Sequence, residues 1–68
     1  MSDSENKVDI LNDAIIEAQR FIDKANEAKE RLINDRYASF GCKEMAAAKR
    51  ASMDLTRALV AVRNPYNN

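Results

Sequence analysis

Three sets of side chains in this 68-residue chain are of types that can do chemistry. The first is Cys42, the only cysteine, followed directly by Lys43. A cation beside a thiol at the start of a helix favours the reactive thiolate. The second is Asp9, Asp13 and Glu17, spaced so that a helix puts three carboxylates on one face, where oxygen ligands for a divalent ion would gather. The third is the row Lys43, Arg50 and Arg57, repeating every seven residues along one side of a helix. Guanidinium forks grip phosphate bidentately, and a helix N-terminus adds free backbone donors. Tyr37 and Phe40, just ahead of the row, supply rings that stack on a base.

Plainer readings stand beside each. The chain has no histidine, so no Ser-His or Cys-His pair exists and the usual acid–base group near neutral pH is missing. No catalytic residue is assigned, and the expected class is not an enzyme. Cys42 then reads as an inert turn thiol, and the three carboxylates as a solvated helix face. One cysteine without histidine makes no zinc set, so no metal or cofactor is implied. Only the basic row, with Tyr37, is kept as a candidate anion-binding site, its alternative being a partner for acidic residues of a neighbour.

The elements that must position these groups are two helical stripes. Ser2 and Glu5 have capping-box spacing, with Asp3 and Ser4 as further caps. No glycine or proline follows until Gly41, and the pattern predicts helix 1 over about residues 4–36, about 45–50 Å long. Its apolar row is Val8, Leu11, Ile15, Ala18, Ile22, Ala25 and Leu32, interrupted by Lys29, with Ala14, Phe21 and Ala28 flanking it. Four-residue spacing suits the pairs Glu27–Arg31 and Arg31–Asp35. The turn covers 37–42, with Ser39 as a cap for helix 2 and Gly41 as a left-handed residue ending helix 1. Helix 2 is predicted over about 43–63, with a core face of Ala48, Ala51, Leu55, Ala58, Leu59 and Val62. Pro65 biases Asn64 out of helix, leaving the tail 64–68. So short a turn makes the helices antiparallel neighbours, and residues 1–68 form one all-α hairpin domain.

Two helices of this size expose too much of themselves to offset the entropy of ordering the chain. With no disulfide or metal available, self-association is the expected staple, most simply as a four-helix bundle. Counting back from the turn places the end of helix 2 near Ile16, so Val8, Ile10, Leu11 and Ile15 are read as an oligomer interface. A second stripe, Ala46, Met53 and Val60, repeats every seven residues on the far side of helix 2, and Met53 and Val60 join the interface set. Residues 1–41 carry six Lys/Arg against nine Asp/Glu, and residues 42–68 carry five against two. That asymmetry suits antiparallel helices, within or between chains. A net charge of zero argues against a nucleic-acid binder. No apolar run is long enough to span a bilayer, and a lone thiol without a leader-like segment suggests the cytoplasm.

The order long helix, short turn, then Lys43-Glu44 opening an alanine-rich helix that ends Val62-Arg63-Asn64 resembles the helical-hairpin cyclic-nucleotide sponges of phages. Those proteins counter nucleotide-signalled bacterial immunity by forming oligomers that sequester the messenger. The resemblance implies an oligomeric binder of an anionic nucleotide. Aromatic residues expected late in that helix are absent, so no binding residue carries over. The residues themselves point first to a self-associating interaction or accessory protein of bacterial or phage type, whose partner is itself or a host protein.

Overall fold

The structure, a computed structural model, describes residues 3–35, 37 and 41–64, with side chains from Asn6 onward. It contains two α-helices, α1 (Asp3–Asn34) and α2 (Lys43–Arg63), packed against each other. Among the described residues there is no strand. Ile10 and Leu11 lie beside Val62, Arg20 reaches Asp54, and Ala28 lies beside Met45 and Ala48, so the helices run antiparallel.

α1 stops two residues before the position that periodicity predicts. The backbone N–H of Asp35 closes the last turn onto the Arg31 carbonyl at 3.0 Å. Its side chain then accepts the backbone N–H of Tyr37, also at 3.0 Å. A carboxylate that bonds the backbone two residues on offers the chain an alternative to the next helical turn. Gly41 has φ +142°, a conformation that side-chain-bearing residues rarely adopt. It does not cap α1 as expected; it swings the chain into Cys42, whose extended backbone (φ −152°, ψ 155°) is the N-cap of α2. The Cys42 carbonyl accepts the N–H of Ala46 at 3.2 Å, and its side chain makes no cap bond. α2 has the predicted bounds, and the Asn64 N–H closes its end onto the Val60 carbonyl at 2.9 Å. The expected caps Ser2 and Ser39, the stacking ring Phe40 and the stop at Pro65 lie outside the described residues.

Among the described residues, the buried core consists of Ala14, Ala28, Ala48 and Ala51. Leu55 and Ala58, expected at its centre, are only half-buried, and Leu59 is exposed. The reason is an axial rotation of α1. The row Ala14, Phe21, Ala28, expected at the flank, faces α2, because methyl-sized side chains let the axes approach closely. Val8, Ile15 and Ile22 lie about 100° farther round and turn away from α2.

The register also differs from the count along the turn. Val62 stands level with Ile10 and Leu11, not with Ile16, so α2 covers most of α1. Its first turn is correspondingly level with about residue 30, and the end of α1 runs past it.

Candidate interaction surfaces

The rotation of α1 leaves one side of the hairpin apolar. Val8, Leu11, Ile15 and Ile22 are 50–58 % exposed. Leu32, Met45 and Leu59 extend the same side, and Ile33, at the end of α1, is more exposed than any of these. Between the helices this side opens into a groove of about 520 Å³ lined by Phe21, Ala25, Leu32, Met45 and Ser52, with Lys29 and Lys49 also at its wall. Leucine and isoleucine normally supply the interior of a helical domain. Here alanines fill the inside and the larger residues stand outside.

The interface residues read from the sequence fall in different places. Val8, Leu11 and Ile15 are exposed on the apolar side; Leu11 and Ile15 lie level with α2 and do not overhang it, and Val8 lies at its end. Ile10 is half-buried against Val62 within the hairpin, so it is a residue of the intramolecular contact. Met53 and Val60 are exposed on the far side of α2, away from the groove. The sequence reading missed Ile22 and the groove as an outward surface. The signal was present: Ala14, Phe21 and Ala28 repeat every seven residues opposite Ala48 and Ala51, and small residues on both helices mark the line of closest approach.

The opposite side of the hairpin is largely polar and carries ion pairs within and between the helices. Arg20 donates to Asp54 at 3.0 Å across the helices and to Glu17 at 3.2 Å along α1. The bond to Asp54, and then the charge of Glu17, raise the pKa of the guanidinium above its ordinary value. Lys24 pairs with Glu27 at 3.7 Å and Arg31 with Asp35 at 3.3 Å. Glu27 thus takes Lys24 in place of the expected Arg31. Near the turn, Glu27, Glu30, Arg31, Asn34, Asp35 and Glu44 line a polar cleft.

The candidate anion row behaves differently. Lys43, Arg50 and Arg57 are exposed, and none forms an ion pair among the described residues. The carboxylate spaced to neutralise Arg50 or Arg57 is Asp54, four residues after one and three before the other. Arg20 holds that carboxylate instead, so the row keeps its charge. Tyr37 is exposed at the turn. Cys42 is a half-buried free thiol. Asp9 and Asp13 are exposed, Glu17 is engaged by Arg20, and no metal-holding group of three or more His, Cys, Asp or Glu residues forms among the described residues. No described helix is long and apolar enough to cross a membrane. Compared with protein-family models, curated proteins and solved structures, the chain matches none.

Proposed function

We propose that this chain is a non-enzymatic helical hairpin that works by self-association, as a small interaction or accessory protein. The observation that carries the reading is its uncovered apolar side. A compact monomer of 7.7 kDa has about 4,300 Å² of accessible surface by size scaling, whereas this chain has 5409 Å². The difference of roughly 1,100 Å² exceeds the ~800 Å² that each partner contributes to a standard interface. A radius of gyration of 15.4 Å, against about 11 Å for a compact chain of this length, says the same of its shape. An elongated hairpin with isoleucines outside is half of a bundle. Native mass spectrometry of the purified protein tests this, with at least two chains of 7.7 kDa expected. A single well-folded chain at micromolar concentration would refute it.

The unneutralised row on α2 favours a second reading, an oligomeric binder that sequesters a phosphate-bearing molecule such as a cyclic oligonucleotide. Lys43, Arg50 and Arg57 supply the cations, with exposed Tyr37 as a stacking ring. The far-side stripe of Met53 and Val60 lies beside that row and would seat a further chain. Calorimetry against cyclic di- and trinucleotides, at low salt and near 0.15 M, tests the assignment. Binding that survives Arg50→Glu with Arg57→Glu would exclude the row.

A further inference from the structure

We propose that a second copy of this chain covers the apolar side about a twofold axis parallel to the helices, so that α1 of each copy packs antiparallel on α2 of the other. The proposal rests on the self-association reading and specifies its interface. The outward apolar residues and the area they leave accessible set the occupant: an isologous pair buries the same patch twice.

Two hairpins can stack face to face in two symmetric ways, and the charges at the edges of the patch separate them. On α1, the edge beside Ile15 and Ile22 carries Gln19, Asp23, Asn26 and Glu30, all exposed, with acids and no base. On α2, the edge beside Met45 and Leu59 carries Lys49, Thr56 and Arg63, all exposed, with bases and no acid. A twofold axis across the helices lays α1 on α1 and α2 on α2, which sets acids against acids along one edge and bases against bases along the other. An axis parallel to the helices lays the acidic edge of each copy along the basic edge of its mate. Opposite charges across a rim fix the register of a pair, and like charges reject it.

The levels agree as well. A parallel axis preserves height along the bundle, so each α1 residue meets the same level on the second copy's α2 as on its own. Arg20 and Asp54 define that level. Ile22, two residues on, then comes level with Ser52, a half-buried small residue at the groove that leaves room for an isoleucine. Asp23 comes level with Ala51, within about 3 Å along the axis of Lys49. Lys29, inside the patch, lies near the end of the bundle, where its long stem carries the ammonium to water.

The test uses the full chain with Cys42→Ser, carrying either Ile22→Cys or Ser52→Cys, one of the two mass-tagged. The two are refolded together and treated with a short bis-maleimide spacer. A covalent pair of unlike chains, absent when either chain is treated alone, is the expected result. Cross-linking in the Ile22→Cys chain alone would place α1 on α1 and overturn the proposal. No cross-link in the mixture, while light scattering still gives a multiple of 7.7 kDa, overturns it too and leaves self-association standing. A mass of one chain for the unchanged protein removes both. Should the cysteine variants lose an assembly that the unchanged chain keeps, the charge pair decides. Asp23→Lys or Lys49→Asp alone should raise the dissociation constant by roughly two- to tenfold, and the two together should restore it. Additive weakening in the double variant overturns the proposal.

Discussion

Replacing Ala51 with leucine is the sharpest test of an alanine core. Ala51 is 0 % exposed, and Ala14 and Ala28 provide the matching small residues on α1. The substitution adds three carbons at a position with no exposed surface, where the axes approach closely, so α1 and α2 must separate or the introduced side chain must take a strained rotamer. Overpacking of this kind costs about 1–3 kcal/mol. A domain of this length has a total stability of about 3–10 kcal/mol. For so small a domain each 1 kcal/mol shifts the midpoint by about 4–8 °C, so Ala51→Leu should melt roughly 5–20 °C lower. The control is Ala46→Leu, the same change in composition on an exposed position of α2. Helical circular dichroism followed on heating reads both, at one fixed chain concentration because the proposed assembly would shift the midpoint. If Ala51→Leu melts no lower than Ala46→Leu, the close approach along the alanine row is wrong.

Leu11→Asp places a charge in the proposed contact, and light scattering should show a smaller mass at micromolar concentration while helical content persists. Unchanged mass would take Leu11 out of the interface. Gly41→Ala should destabilise the chain by more than about 1 kcal/mol, since φ is +142° there. An added Cβ meets nothing within 4 Å, so the loss is backbone strain alone, and an unshifted melting curve would deny it. Asp54→Asn loosens an exposed ion pair and should hardly move the midpoint, but it frees Arg20 to add to the positive field beside Arg50. Tighter retention of an anionic nucleotide by that variant, measured by calorimetry, is the expected sign; weaker retention would show that Asp54 itself orders the site.

Element type and the bounds of α2 were legible because heptad spacing and the lone glycine ahead of α2 carry local physics. The end of α1 was not, since it depends on which way the Asp35 side chain turns, toward Arg31 and the Tyr37 N–H. The facing surfaces were legible on α2 and misread on α1. A hydrophobic stripe spanning Val8 to Leu32 identifies an amphipathic helix, yet it does not say which half of a broad stripe meets the nearer neighbour. Large side chains draw the eye as core, whereas the distance between helix axes is set by the smallest residues that can face each other. Ala14 and Ala28 on α1, with Ala48 and Ala51 on α2, won that contest. The charges of Lys43, Arg50 and Arg57 were legible as a row, but their freedom was not. For Arg50 and Arg57 it follows from Arg20 capturing Asp54 across the hairpin, a pairing thirty-four residues apart in sequence.

An alanine interior has a consequence for how this chain folds. Each buried alanine contributes little more than one methyl group, about 0.8 kcal/mol, so the alanine core alone supplies less apolar burial than Val8, Leu11, Ile15, Ile22 and Leu32 could provide. The larger gain is available only when those residues are covered, so the self-association proposed above would make assembly part of the folding reaction. Mass action then governs stability: an assembly that melts to single unfolded chains has a midpoint that rises with total concentration. Scanning calorimetry over a hundredfold range of chain concentration should show that rise, with ellipticity and light scattering lost together. A concentration-independent midpoint in a chain that still scatters as a multiple of 7.7 kDa would mean that the hairpin folds first and docks afterwards, its alanine core sufficient by itself.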